Sequence, residues 1–304
     1  MGTPHAAVPT LRQCLGDGHE VVAVWTQPDK PSGRGHKVVF PPVKEFALSH
    51  GLTVLQPAKI KNDEAKQLFA SHGADVAVVV AYGRILPEEF LQTPRHGCLN
   101  VHFSLLPRYR GAAPANWAII NGDTETGVTT MFIEPSLDTG PILLQRNTEI
   151  ASTETAPELM QRLSAIGAKL LSETLKRLPE LTPRKQDDAA ATFAPILKKE
   201  DGLIDWSQSA VAIERRVRGL QPWPNAYTSF NSKGLTIWNA QPITTANASA
   251  APGEILMAQR DELVVSCGEL TALRLLEVQP EARKRIPARD FINGMHPKVG
   301  DCFG

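Results

Sequence analysis

The pattern of apolar and polar residues picks out one stretch, 97–114, as the most informative part of the chain. Between positions 98 and 102 apolar and polar side chains alternate with the period of two that is typical of a β-strand. Asn100 and His102 are two residues apart, so a strand places both side chains on one face. A Leu-Leu-Pro sequence then ends the pattern, and irregular chain follows. Open α/β sheets bind ligands at such strand ends, so this stretch is the candidate active site.

Other apolar runs predict an α/β sheet around this strand. Residues 75–82 are apolar on both faces, as expected of a central parallel strand, and 20–26 form a second compact strand. Strands alternate with helices in the first half of the chain, which predicts a Rossmann-like, doubly wound parallel sheet. No Gly-x-Gly-x-x-Gly sequence follows a strand, so nothing supports the usual dinucleotide site. The predicted helices are 6–15, 42–50, 63–73, 115–121 and 155–178, and further strands are predicted at 52–55, 127–133 and 143–150.

A change in pattern predicts a second domain. The polar stretch 183–191 lacks periodicity and is typical of a linker. After a helix at 209–220, short strand-like runs are separated by turns that contain Gly or Asn, a pattern that indicates a small β-barrel. We therefore predict a first domain over 1–182, a linker over 183–202 and a β-barrel domain over 203–304.

Composition narrows the class of partner. Lys plus Arg and Asp plus Glu both number 32, so any patch that attracts an anionic partner must be local. The four cysteines form no Cys-x-x-Cys pair, which argues against a structural zinc site and for a reducing compartment. No apolar run is long enough for a membrane span, and no basic-then-apolar signal opens the chain. We expect a soluble cytoplasmic protein with no membrane contact.

The strongest local basic patch is the Pro- and Gly-rich loop 27–37, which carries Lys30, Arg34, His36 and Lys37. One interpretation is a mobile, solvated connection, because loops of this composition lie on protein surfaces. The other is an arm that contacts phosphates. The residues of the loop alone leave both interpretations open.

Three polar residues suggest the chemistry of the candidate site. Asp138, in a turn-rich loop after a predicted strand, could orient the His102 imidazole, while Asn100 and His102 stabilise a tetrahedral oxyanion. His102 could equally be an interior histidine and Asp138 a turn former. One nearby histidine argues against a metal site, and the lack of Gly-x-Ser-x-Gly argues against a serine nucleophile. Spacing alone does not decide between these roles.

The same residues resemble the signature of the folate-dependent formyltransferases. The resemblance rests on Asn100-Val-His102, on the sequence 104–114 and on Leu137-Asp-Thr-Gly140. It extends over nearly the whole chain, through 26–35, 78–83, 204–207 and 222–224. The family has a strand before the Gly2-Thr-Pro turn, so we expect a central parallel strand to be missing and strand edges to be unpaired.

The resemblance implies a formyl donor, 10-formyltetrahydrofolate, and an acceptor, the α-amine of methionine on initiator tRNA, with no metal. Asn100 and His102 would hold the formyl oxygen, and Asp138 would support His102 and help to remove a proton. The implied folate pocket includes Tyr82, Gly83, Ser104, Leu105, Leu106 and Pro107. The implied tRNA contacts are Lys30, Arg34, His36 and Lys37, with Arg34 foremost, and, on an OB-like second domain, Arg215, Arg216, Arg218 and the Arg283-Lys-Arg285 cluster.

Two other functions compete with this one. A formyltransferase that acts on a nucleotide-linked amino sugar would use the same first domain, although the basic loop favours tRNA. A non-catalytic folate- or RNA-binding protein is a second alternative, and the intact Asn, His and Asp set argues against it. We expect the chain to act as a monomer.

Overall fold

The computed structural model describes residues 1–32, 37–244 and 250–304. The chain forms two compact units, each with a hydrophobic core. The first contains Met1–Pro114, Glu125–Glu149 and Met160–Ala194, and the second contains Ala115–Thr124, Ile150–Leu159 and Pro195–Gly304. The domain limits 1–182, 183–202 and 203–304 stay a prediction. The stretch 183–194 lies in the first unit and so belongs to the surroundings of the candidate site.

The strands of the first unit confirm the expected parallel pairing and add an antiparallel edge. β1 pairs with β4 and β5 pairs with β6, both in parallel, while β8 and β9 extend the β5–β6 sheet in antiparallel fashion. In chain order the strands are β1 (Val24–Trp25), β2 (Lys30–Ser32), β3 (Lys37–Val39), β4 (Val54–Leu55), β5 (Ala77–Val79), β6 (Cys98–His102), β7 (Arg110–Gly111), β8 (Glu125–Phe132), β9 (Ile142–Glu149) and β10 (Phe193–Ala194).

Helices follow the predicted segments closely. Local capping explains one of these boundaries. The Asn62 side chain accepts a hydrogen bond from the Ala65 N–H, so it caps α3 and fixes where that helix begins. Within the described ranges, no helix is both long and apolar enough to cross a membrane. The helices are α1 (Val8–Gly16), α2 (Pro42–Ser49), α3 (Asp63–Ala70), α4 (Glu88–Gln92), α5 (Pro114–Asn121), α6 (Ala156–Arg177), α7 (Ala210–Gly219) and α8 (Ala288–Met295), with 3-10 helices at His5–Ala7, Asp188–Ala190 and Lys199–Gly202.

The basic loop is more ordered at its two ends than the sequence predicts. β2 and β3 form an antiparallel pair, with Lys30 opposite Val39. The sequence indicates a loop over 27–37, but 30–32 and Lys37 belong to paired strands, because Pro and Gly signal a turn and do not reveal whether the flanking residues pair. Arg34 and His36 lie outside the described residues.

A gap separates β1 from β5, where a central strand was expected to be missing. Met1 and Gly2 are hydrogen-bonded to both sides: the Gly2 N–H donates to the Trp25 carbonyl at 2.9 Å, and the Val80 N–H donates to the Met1 carbonyl at 2.9 Å. The Met1 ammonium donates to the Val78 carbonyl at 2.7 Å. Beyond them lies a cavity of about 360 Å³, lined largely by apolar side chains from 21–25 and 74–80. β1 and β5 therefore belong to separate sheets, and the cavity lies between them.

The second unit is a small antiparallel β domain. Its sheet has the order β11-β12-β15-β14-β13, with β16 paired to β15, and it buries a core that includes Trp206, Ile237, Leu275 and Phe291. β12 and β15 are longer than predicted, and the final helix α8 was not predicted. The strands are β11 (Ala226–Phe230), β12 (Lys233–Thr244), β13 (Ile255–Gln259), β14 (Glu262–Ser266), β15 (Thr271–Pro280) and β16 (Ile286–Pro287).

Candidate active site

β6 holds the two predicted polar residues between two neighbouring strands. Asn100 lies opposite Val79 of β5 and Met131 of β8, and His102 lies opposite Thr129. Val101 points the other way: a Cβ atom at Gly167 in α6 would lie 2.8 Å from its Cγ1 atom, so glycine makes room for valine. The alternation along β6 therefore sends Asn100 and His102 to the face away from α6.

One hydrogen bond and one nearby carboxylate flank the His102 ring. The imidazole is 6% exposed. Its Nε2 atom lies 2.9 Å from the Tyr109 carbonyl oxygen, and because a carbonyl can only accept, Nε2 must carry the proton. Its Nδ1 atom lies 3.6 Å from Asp138 Oδ2, within ion-pair distance. The neutral ring thus has its lone pair on Nδ1, and a proton taken up there would face a carboxylate.

The Asp138 carboxylate is held from the neighbouring loop. The Gly111 N–H donates to Asp138 Oδ2 at 2.8 Å. Asp138 itself has a φ of 53°, in the left-handed region that few residues other than glycine adopt. Two residues later, a Cβ atom at Gly140 would lie 1.9 Å from the Phe132 carbonyl oxygen, so only glycine fits. Asn100, half-buried, completes a set that the structure brings to one strand end.

Sequence reasoning missed a buried pair behind this loop. The Gln186 side chain donates from Nε2 to the carbonyls of Asp138 and Gly140, at 2.8 and 2.7 Å. Its Oε1 atom accepts two hydrogen bonds from the Arg110 guanidinium, at 3.0 and 2.9 Å. Gln186 and Arg110 are each 5% exposed. No sequence signal identified Gln186, because it lies in the polar stretch that is typical of a linker.

The residues predicted to line the folate pocket divide by exposure. Ser104 and Leu106 are buried and Leu105 and Pro107 are half-buried. The Ser104 hydroxyl donates to the Arg108 carbonyl at 2.6 Å, so its side chain shapes the loop. Thr129 Oγ1 fastens the loop to β8, since it donates to the Ser104 carbonyl at 2.7 Å and accepts from the Leu106 N–H at 3.1 Å. The loop is therefore a rigid edge beside His102.

Tyr82 and Gly83 follow β5, whose parallel neighbour is β6, so both lie at the same end of the sheet as His102. Gln27 Nε2 donates to both of their carbonyls, at 3.1 and 3.0 Å. Tyr82 is buried, and burial raises the pKa of its phenol. Within the described part of the chain, the Tyr82 hydroxyl has no hydrogen-bond partner.

The predicted tRNA-binding residues are not all equally available. Lys30 is exposed, whereas Arg34 and His36 lie outside the described residues, and the Lys37 side chain is not described. In the second unit, Arg216 donates to the Asp201 carbonyl, and Arg218 pairs with Glu214. Arg215 is half-buried. Arg283 and Lys284 are exposed, and Arg285 pairs with Glu277.

The site shows no sign of a metal centre. Across residues 1–32, 37–244 and 250–304, no group of three or more His, Cys, Asp or Glu side chains could hold a metal ion. The arrangement instead offers an amide, an imidazole with a proton-accepting nitrogen, and a carboxylate beside that nitrogen. Such a set can stabilise an oxyanion and take up a proton.

Comparison with known proteins gives a consistent result. A formyl transferase family model matches residues 1–175, and a formyl transferase C-terminal domain model matches residues 196–296. The chain is 53% identical to a methionyl-tRNA formyltransferase from Solibacter usitatus and 51% identical to one from Citrifermentans bemidjiense; each alignment covers 100% of this chain, and 97% and 95% of those proteins.

A solved structure shows the same fold. The N-formyltransferase from Helicobacter canadensis, in complex with folinic acid and dTDP-3-aminofucose, aligns with a TM-score of 0.65 at 17% identity, over 92% of this chain and 97% of that one. That identity supports the fold alone. The two family models and the full-length relatives decide the family. The chain belongs to the formyltransferase family.

Proposed function

We propose that this chain transfers the formyl group of 10-formyltetrahydrofolate to the α-amino group of methionine on initiator methionyl-tRNA. The full-length relatives at 51% and 53% identity carry that activity in their names. The single structural observation that carries the chemistry is the 3.6 Å approach of His102 Nδ1 to Asp138 Oδ2, on the strand face that also presents Asn100.

The reaction needs no covalent enzyme intermediate. The neutral amine attacks the formyl carbon, a C–N bond forms and the carbonyl oxygen becomes an oxyanion. Asn100 can donate its amide N–H to that oxygen, and His102, once it has accepted the amine proton, adds a positive charge that stabilises it. When the intermediate collapses, the bond to the folate N10 atom breaks. N10 takes the proton that His102 accepted from the amine, which leaves tetrahydrofolate, formylmethionyl-tRNA and a neutral His102.

The attacking amine must also lose a proton. Because His102 Nε2 is engaged by the Tyr109 carbonyl, Nδ1 is the nitrogen left to accept it. The Asp138 carboxylate at 3.6 Å stabilises the imidazolium that results. Asp138 therefore supports His102 and aids proton removal, while the Ser104–Pro107 loop and the Tyr82-Gly83 turn border the folate.

The direct test is formyl transfer from 10-formyltetrahydrofolate to initiator methionyl-tRNA, followed by acid gel separation of the charged tRNA. We expect formylation of methionyl-tRNA and none of uncharged tRNA. A nucleotide-linked amino sugar in place of tRNA tests the competing substrate. Formylation of the sugar, with methionyl-tRNA left unchanged, would overturn this proposal and identify the protein as a sugar formyltransferase.

The basic loop is proposed to contact the acceptor end of the tRNA through Lys30, Arg34, His36 and Lys37. We expect Arg34→Ala to raise the KM for tRNA and to lower the salt slope of log K by roughly 1, as loss of one phosphate contact does. The matched control is Lys59→Ala, an exposed cation elsewhere in the first unit. An equal salt slope for both variants would return the loop to a solvated connection.

The second unit is proposed to add a tRNA surface around the Arg283-Lys-Arg285 cluster. Arg283 and Lys284 are exposed, whereas Arg216 and Arg218 of α7 already have partners within their own unit. We also propose that the protein works in the cytoplasm, where charged tRNA is found, and as a monomer. Light scattering after size-exclusion chromatography measures the mass directly.

A further inference from the structure

We propose that Gln186 is a positioning residue, which holds the Asp138 loop so that its carboxylate stays beside His102. The inference rests on the proposed role of Asp138 and extends it to a residue from a distant, aperiodic stretch of the chain. The amide of Gln186 is the one described side chain that donates to the backbone on both sides of Thr139.

The contacts of Gln186 use its whole amide. One nitrogen reaches the Asp138 and Gly140 carbonyls at 2.8 and 2.7 Å, and also lies 3.9 Å from Met131 Sδ. Two N–H bonds are all that the nitrogen can donate to oxygen. The loop carbonyls are thus tied to a side chain that is itself 5% exposed.

Arg110 fixes which way this amide points. Its Nε and Nη2 atoms both donate to Gln186 Oε1, so the oxygen faces the guanidinium and the nitrogen must face the loop. The residue after Arg110 is Gly111, whose N–H donates to Asp138 Oδ2 at 2.8 Å. β7 therefore contacts Asp138 in two ways. Gly111 donates directly to the Asp138 carboxylate, and Arg110 orients Gln186, which donates to the Asp138 backbone carbonyl.

The loop needs such support because Asp138 has a φ of 53°. Aspartate adopts that conformation more readily than most non-glycine residues, but it remains less favoured than ordinary backbone angles. Without the two amide donors, the Asp138 and Gly140 carbonyls lose their partner and the loop can relax toward ordinary backbone angles. The carboxylate would then leave Nδ1, and proton removal would slow although His102 and Asn100 are intact.

A double-mutant cycle tests this role. Gln186→Glu keeps an oxygen for Arg110 and removes both donors to the loop. We expect kcat for formyl transfer to fall on the order of 10²-fold, as small displacements in active sites do. KM for both substrates stays unchanged, because neither is contacted. Combined with Asp138→Asn, the double variant is no slower than Asp138→Asn alone, because both changes remove the same function.

The control is Lys185→Ala, which alters the neighbouring exposed residue and leaves kcat unchanged. If Gln186→Glu does not fold, Gln186→Met, of similar length and without charge, enters the same cycle. Multiplicative losses in the double variant, or a raised KM with normal kcat, would overturn the positioning role. A normal kcat for Asp138→Asn would instead overturn the proposed role of Asp138, independently of Gln186.

Discussion

The two edges of strand β5 differ in what lies beside them: one has a paired strand and the other has a cavity. On one side β5 pairs with β6, where His102 is hydrogen-bonded to Tyr109, Asp138 is hydrogen-bonded to Gly111, and the His102 and Asp138 side chains lie 3.6 Å apart. On the other side β5 faces a cavity of about 360 Å³, and Met1 and Gly2 are hydrogen-bonded to both sides of it. One edge of β5 has a paired strand that carries the candidate site, and the other edge faces the cavity.

This difference separates activity from stability. Asn100, His102 and Asp138 lie on β6 and in the loop after β8, which do not line the cavity, whereas Tyr82 and Gly83 follow β5, which does. On the cavity side, less apolar surface is buried and strand edges are unpaired, and both lower the free energy of unfolding. Changes on the site side should therefore act on turnover, and changes on the cavity side on unfolding.

The largest expected effect is on turnover. Asn100→Ala or His102→Ala should lower formyl transfer by at least two orders of magnitude, since loss of an oxyanion donor costs about 2.7–4 kcal/mol. Steady-state kinetics measure the loss of turnover, and a thermal melt measures whether the variants still fold. Near-normal turnover in both variants would contradict the assigned roles.

Filling the cavity should give the next largest effect. An extension of five alternating Val and Ile residues before Met1 can lie between 21–25 and 74–80. Because each buried side chain contributes about 1.5–3 kcal/mol against about 1–2 kcal/mol of backbone entropy, we expect a gain on the order of 3 kcal/mol in the free energy of unfolding.

Urea denaturation measures that gain, and a Gly-Ser extension of equal length is the control. The value of kcat should be the same in all three proteins. Equal stability for the apolar and the Gly-Ser extensions would show that the gap does not accept a strand. A changed kcat would show that the two sides of β5 are coupled.

A smaller effect depends on pH. Burial lowers the pKa of the Met1 ammonium from 8.0 to about 6. Above the unfolded pKa both states are neutral, so stability is greatest there. As the pH falls, the unfolded chain takes up the proton first, and the folded state loses up to about 2.7 kcal/mol.

This loss should be complete once the pH is below the folded pKa of about 6. The urea midpoint at constant ionic strength measures it. The apolar extension removes the ammonium from the gap, so the difference between the two proteins should shrink as the pH is raised. A difference that does not vary with pH would contradict burial of the ammonium.

The smallest effect concerns two thiols. Cys14 lines the cavity and Cys98 begins β6, and burial raises the pKa of both, that of Cys98 to about 12. We expect iodoacetamide to label Cys14 slowly, the apolar extension to slow it further, and Cys98 to remain unlabelled in both proteins. Peptide mass spectrometry identifies the site. Labelling of Cys98 before Cys14 would reverse the comparison.

Much of the fold was predictable because it depends on local patterns. Strict alternation predicts β6 residue for residue, and the capped, amphipathic segment at 155–178 matches α6 to within one residue at each end. β1 is shorter than its apolar run, because a strand extends only as far as its partners do. The pairing of β2 with β3 is a contact between segments, which composition does not encode.

The candidate site was predictable only in part. Asn100, His102 and Asp138 stand out because polar groups at strand ends are uncommon and carry chemistry. Gln186 does not stand out, since it comes 48 residues after Asp138. It also donates to backbone carbonyls, which every residue type has, so the sequence carries no sign of this contact. Arg110 lies within the signature, but its partner depends on a fold that brings 186 to 110.

The position of Gln186 has a practical consequence for dissection of the protein. A fragment that stops after Thr182 would match the predicted first domain, yet it would discard Gln186 and also Thr192, whose Oγ1 accepts from the Tyr109 N–H at 2.9 Å. A fragment that stops after Ala194 retains both and ends where the first compact unit ends. Anyone who seeks a minimal folate-binding piece, or who exchanges the C-terminal half for that of a relative, should place the cut there.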